Sequence, residues 1–311
     1  MTTRLKPILY FAAGLLIASA AFAVSSFRKD NPAESTVEVK DNGNLQYKWY
    51  VPAMPQSASF AGEKVPLDRQ DVREQYEREL LNNYYNQNST LYILKLSTRY
   101  FPLIEERLKL NGVPDDFKYL CIAESALQNQ ISRAGAVGFW QFMKDTAPRY
   151  GLEINDDVDE RYNVLKATDA ACQYFKEAHA KFGTWTGAAA SYNCGLGGYN
   201  NQVTYQRTSF YYDLLLPDET MRYVFRILAL KYIISEASRM GFILTPNEGY
   251  RPYRVKTETI STPIPDLAQY AIDHRITYRT LKTFNPWLRG HSLPVRPGKT
   301  YTILLPEGNW P

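Results

Sequence analysis

Histidine and cysteine are scarce in this chain, with three of each in 311 residues. The histidines stand at 179, 274 and 291, too scattered to form a ligand cluster, so neither a metal centre nor any other cofactor is expected. The cysteines, Cys121, Cys172 and Cys194, are odd in number, which leaves at least one thiol free. Their apolar, helix-patterned neighbours make buried structural thiols the expectation for all three. Charge of one sign is also in short supply: 36 basic against 32 acidic residues leave a net charge of +4. No Lys/Arg stripe runs along any segment, so a nucleic-acid partner is excluded.

Long apolar runs are equally rare, and the one present is at the N-terminus. Arg4 and Lys6 precede an apolar stretch over residues 8–24, broken only by Gly14 and Ser19, and Ala21-Phe22-Ala23 fits a small-x-small cleavage pattern. Its length is at the lower edge of the roughly 17–25 residues a spanning helix needs. Residues 1–27 therefore read as an export segment, either cleaved or retained as a membrane anchor. Export places the rest of the chain in the periplasm or cell envelope. No cysteine lies in or just after the segment, so a lipid anchor is not expected.

The remaining composition is that of a folded protein: 45% hydrophobic and 22% charged residues, with enough length for two domains. Twenty-four tyrosines and five tryptophans supply flat faces with polar tips, which suit sugar stacking, although most such rings serve to pack cores. Residues 28–66 are polar and carry four prolines, and they read as a linker or loosely packed arm. Helical periodicity then predicts helices over 68–86, 91–110, 114–125, 146–150, 161–182, 186–192 and 217–240. Asn111-Gly112 and Gly241 act as stops. From residue 247 the pattern changes to short strands at 250–255 and 257–261, helices at 264–272 and 277–283, and a closing strand at 301–306.

Three blocks carry the chemistry. Ala123-Glu124-Ser125 ends an apolar stretch and leads into a polar loop with Asn129, Ser132, Gly135 and Gly138, followed by Trp140-Gln141-Phe142. About fifty residues on comes Tyr192-Asn193-Cys194-Gly195. A lone carboxylate set against an apolar helix face is desolvated, which raises its pKa and fits it to donate a proton near neutrality. Spaced in this way, the blocks resemble the motifs of lytic murein transglycosylases with a goose-lysozyme-like fold, most of all the membrane-bound transglycosylase D group. A fourth block, Glu219-Thr220 with Tyr223, is similar to the same family, and so are Asp159 and Arg161, expected as a structural ion pair. The tail resembles a LysM module through Leu281, Phe284-Asn285 and Pro297-Gly298-Lys299, but it lacks the usual Gly-Asp-Thr after the first strand.

The resemblance implies a mainly α fold: a lysozyme-like helical catalytic domain over 67–246 and a small α+β LysM-like module over 247–311. It implies peptidoglycan glycan strands as substrate, with cleavage between N-acetylmuramic acid and N-acetylglucosamine to a 1,6-anhydro product. Glu124 would be the single general acid/base, since the C6 hydroxyl of the sugar replaces the second carboxylate that most glycosidases need. Ser125 would bond substrate or hold the helix end, and Gly135 and Gly138 would let the loop approach the sugar. Gln141 and Asn193 would meet acetamido groups, Tyr192 would line the cleft, and Tyr223 would orient the acid. Phe142 and Met143 are expected in the core, and Glu219 as a structural carboxylate. Two alternatives stand open: a water-using muramidase, with Asp145, Asp156 or Asp157 as second carboxylate, and a non-catalytic wall-binding scaffold.

Overall fold

The computed structural model describes residues 50–245 and 247–308. The expected export segment and most of the expected arm lie outside the described residues. The architecture is mainly helical, as expected, with eight α-helices and two small antiparallel two-stranded sheets among the described residues.

The chain enters through a two-residue hairpin, β1 (Ser59–Phe60) and β2 (Glu63–Lys64). The stretch expected as a loose arm is thus packed here. Phe60 and Val65 are buried, and Phe60 meets Phe117 edge-on at 5.1 Å. The Glu63 carboxylate accepts from the Trp185 and Thr186 N–H groups and from the Thr186 hydroxyl (2.6, 2.9 and 2.6 Å). Free N–H groups at a helix start attract an anion in this way.

Five longer helices and one short one then build the first body: α1 (Gln70–Tyr84), α2 (Gln87–Leu110), α3 (Phe117–Ser125), α4 (Val164–Phe182), α5 (Trp185–Gln206) and α6 (Asp218–Ser235). Helix α3 is nine residues long and packs against both α2 and α6. Its residues 117–122 are all buried, which explains a sequence without the amphipathic alternation of a surface helix. Asn163 caps α4 by accepting from the Leu165 and Lys166 N–H groups, and Thr184 caps α5 through Gly187. Helix α5 runs well beyond the expected 186–192. It bends at Gly195 (φ 79°, ψ 152°), a conformation open to glycine, and continues to Gln206. Residues 147–150 and 160–162 form single 3-10 turns.

The second body is a strand–helix–helix–strand unit: β3 (Val255–Ile260), α7 (Leu267–Asp273), α8 (Tyr278–Phe284) and β4 (Tyr301–Pro306). Strands β3 and β4 pair antiparallel in full, from Val255 with Pro306 to Ile260 with Tyr301. Asn285 is completely buried and bonds Leu281 O, Leu304 O and Leu304 N–H, tying α8 to β4. The first expected strand, 250–255, is instead an extended segment lying on α2. Tyr250 N–H donates to Lys95 O and the Thr98 hydroxyl donates to Tyr250 O, so its backbone is paired with a helix side and not a sheet.

Candidate active site

Helix α3 ends at Ser125 and is followed by two non-glycine residues in the left-handed region, Ala126 (φ 52°) and Leu127 (φ 58°). Such a pair costs conformational energy and persists where the surroundings impose it. It turns the chain sharply away and leaves Glu124 at the last turn of a buried helix, next to a loop. Glu124 keeps part of its surface open, while the protein packed around it is dense enough to push its pKa up to about 7. Burial is the largest cause; the Tyr223 hydroxyl and the Arg226 charge work against it, and Glu219 adds to it.

Tyr223, on α6, donates its hydroxyl to Glu124 Oε1. Its own pKa is driven far up, first by burial and then by the Glu124 charge, so it remains a donor. The tyrosine thus meets the acid as the sequence led one to expect. Tyr192, on α5, donates to the Trp140 carbonyl (2.7 Å) and stands among Tyr174, Phe175 and Phe142. Trp140 is fully buried and gives its indole N–H to the Thr168 hydroxyl (2.8 Å). These rings pack on one another, and the Glu124 charge is felt at Tyr192.

Gln141 has φ 49°, again left-handed without being glycine. Its amide nitrogen donates to Gly138 O (2.8 Å) and Gln130 O (3.1 Å), so those protons serve the loop itself. Asn193 Oδ1 accepts from the Thr220 hydroxyl at the start of α6 (2.8 Å), which leaves its NH₂ group as the donor end. Ser125 is buried, and its hydroxyl donates to Cys121 O (3.2 Å). Of the two roles expected for it, holding the helix end is the one its geometry serves.

Three further expectations are corrected. Gly138 was expected to let the loop approach sugar; a Cβ there would instead lie 2.0 Å from Arg161 O, so the glycine admits a neighbouring backbone. Met143, expected in the core beside Phe142, is 43% exposed, because Phe142 alone packs against the aromatic rings. Cys194 is partly exposed, whereas Cys121 and Cys172 are buried, and all three thiols are free.

The sequence reading missed Arg226 and Glu79. Glu79 on α1 is buried and accepts from Arg222 Nε (2.6 Å), with Arg226 Nε at 3.7 Å. Arg226 also pairs with Glu219 (3.0 Å), a contact within α6 itself. The available signal was the i, i+4 spacing of Arg222 and Arg226, either side of Tyr223 on one helix. Arg161 grips Asp159 through both Nε and Nη2 (2.9 and 2.7 Å), the expected ion pair. A groove of about 400 Å³ between residues 55–64 and α6 contains none of these groups.

Residues 102–214 match the transglycosylase SLT domain family, and residues 256–309 match the soluble lytic transglycosylase C-terminal LysM-like domain. The chain is similar to SLT transglycosylase domains over about a third of its length. Over 260 residues it is 31% identical to the membrane-bound lytic murein transglycosylase D of Escherichia coli strain K12. It is equally similar to the protein of the same name from E. coli O6:H1 strain CFT073. The alignments take in 80% of this chain and 55% of each relative, so the chain spans about half their length. The SLT match contains Glu124, Gln141, Tyr192 and Asn193, while Glu79 and the helix bearing Tyr223 and Arg226 lie outside it. No helix among the described residues is long and apolar enough to cross a membrane.

Proposed function

We propose that this protein is a peptidoglycan lytic transglycosylase of the cell envelope. It cleaves the β-1,4 bond from N-acetylmuramic acid to N-acetylglucosamine and leaves a 1,6-anhydro-N-acetylmuramic acid end. The observation that carries this reading is Glu124: a partly open carboxyl, raised to about 7 by burial, with a tyrosine hydroxyl on one oxygen. Near neutrality a large fraction of such a group is protonated, as a general acid must be.

Glu124 gives its proton to the glycosidic oxygen as the bond from that oxygen to C1 breaks, and the N-acetylglucosamine fragment leaves as an alcohol. The developing positive charge at C1 is met by the substrate's own acetamido group. Glu124, now a carboxylate steadied by the Tyr223 hydroxyl and Arg226, takes the proton of the C6 hydroxyl as that oxygen bonds C1. The carboxyl is restored and no water is consumed. Tyr192 lines the cleft, and the Asn193 NH₂ and Gln141 carbonyl are the ends turned to acetamido groups.

A water-using muramidase needs a second carboxylate opposite Glu124. Of the three weighed for that part, Asp157 lies at the C-terminal module: its Oδ1 accepts from the Ser292 hydroxyl (3.4 Å), and its main-chain carbonyl from the Arg289 and Gly290 N–H groups (2.7 and 3.1 Å). The carboxylate whose charge bears on Glu124 is Glu219, which is paired with Arg226. Mass spectrometry of purified peptidoglycan digested by the wild type and by Glu124→Gln tests the reading. Fragments one water lighter than lysozyme fragments, absent with the variant, are expected. Hydrated fragments would establish the muramidase. Wall co-sedimentation by both proteins without turnover by either would establish the scaffold.

A further inference from the structure

Residues 152–162 face two ways. On one side they join the C-terminal module through main-chain bonds: Asp159 N–H donates to Trp287 O (2.9 Å), and Arg289 and Gly290 N–H both donate to Asp157 O. Glu153 takes the Lys299 ammonium and the Tyr301 hydroxyl. The Arg289 guanidinium lies 4.3 Å from the centre of the Tyr162 ring. On the other side the same segment holds the loop before Phe142. Arg161 Nη1 donates to Phe142 O (3.2 Å), the Asn129 amide donates to Tyr162 O (3.1 Å), and Arg161 O fills the space a Cβ on Gly138 would need.

The loop also reaches the module directly. Val137 is buried in the core of the C-terminal module with Val158, Tyr162 and Leu288, and not in the core of the helical body. Val137 and Phe142 exchange both backbone hydrogen bonds, N–H to O at 3.0 and 3.1 Å. Gln141 sits inside that closed turn, with its amide on Gly138 O. A module tethered only to capture wall would keep a polar, replaceable boundary. Here apolar side chains and backbone bonds cross it, and a detached module would leave Val137 and Val158 in water.

We propose that the C-terminal module is a fixed brace for the loop that carries Gln141, and that it sets the geometry of the substrate site through Asp157, Asp159 and Arg161. This rests on the transglycosylase reading of that loop. The brace acts on binding geometry, so it operates on a short soluble glycan as fully as on an intact wall. Asp157, Asp159 and Arg161 are positioning residues, since they reach the substrate only through the loop.

The test uses the full chain with Gly290→Val. A Cβ at Gly290 would lie 2.0 Å from Asp157 Oδ1 and 3.1 Å from Asp157 Cα, so the Asp157 side chain must swing aside and the two backbones must part, further for a branched valine, while the glycine itself is not in the left-handed region. Arg289→Ala combined with Lys299→Ala is the milder companion, should the first variant fail to fold. Hydrogen exchange is followed at the Arg289 and Gly290 amides, which report the junction, and over residues 130–142. The expected result is faster exchange at both places with α1 unchanged. Turnover should show a raised KM and a kcat/KM lowered by roughly 10- to 100-fold, equally on soluble glycan strands and on insoluble wall. An opened junction with unchanged exchange over 130–142 overturns the proposal, as does a loss confined to insoluble wall. A wild type without turnover would remove the enzymatic reading, and the exchange comparison would still decide the brace.

Discussion

Replacing Tyr223 by Phe removes one oxygen from a buried ring and isolates the contact that tunes Glu124. The hydroxyl is accepted by the carboxylate, which favours the charged form, so its loss moves the Glu124 pKa upward from about 7. A hydrogen bond to a charged group is worth about 1.5–3 kcal/mol. At about 1.4 kcal/mol per pH unit this corresponds to about one to two pH units. Arg226 still favours the carboxylate in the variant, and water reaches Glu124 from its open side. The lower end therefore applies, a rise of about one pH unit. Carbon-13 titration of the Glu124 carboxyl, assigned with Glu124→Gln, reads the midpoint directly and does not depend on turnover. The alkaline limb of kcat/KM should move the same way. A midpoint that stays in place or moves down would refute the assignment of Tyr223 as the group that steadies the carboxylate.

Four further outcomes follow from particular contacts. Glu124 has its pKa raised on folding, so the native state holds that proton more tightly; the stability it confers is complete below the unfolded value near 4.5 and is lost as pH rises through about 7. Glu124→Gln should therefore be more stable than wild type at pH 8 by about 2 kcal/mol, allowing for water at the open side, with no such gain at pH 4, read by urea unfolding. Glu79→Gln leaves Arg222 and Arg226 without their buried partner and should cost about 3 kcal/mol in the same assay. Ser125→Ala loses one buried hydrogen bond, expected at about 1 kcal/mol, with KM within about twofold of wild type because the hydroxyl faces Cys121 O. Glu63→Gln weakens the anion at the start of α5 and should lower stability by about 1 kcal/mol, an effect that calorimetric melting detects.

Much of the site was legible because its signals are short in range. The helix-ending Glu124, the loop before Gln141 and the Tyr192-Asn193 pair are written as motifs with fixed spacing, and the structure has Glu124 in the last turn of α3 and Tyr192 on the Trp140 carbonyl. The helices of the first body were read from apolar periodicity, with ends misjudged where one side chain mattered. The bend at Gly195 looked like a stop because a glycine run weakens any helix, yet packing carries α5 to Gln206. The segment at 250–255 looked like a strand because Tyr and Val favour strands, yet its backbone is bonded to α2 instead of a sheet. Residues 58–65 looked loose because a two-residue hairpin has no periodicity to show.

The sequence by itself determined a helical body around a carboxyl acid, followed by a strand–helix–helix–strand module, since both rest on patterns spanning a few turns of chain. Only the tertiary structure decided the environment that gives those residues their chemistry. Tyr223 stands 99 residues from Glu124 in sequence and touches it, and Glu79 comes from another helix to hold Arg226 beside the acid. Ser125 is turned inward, Gly138 faces Arg161, and Val137 belongs to the core of the C-terminal module. None of these is a property of local sequence. Burial, which raises the acid, and contact, which braces the loop, exist only once distant segments close on one another and exclude water.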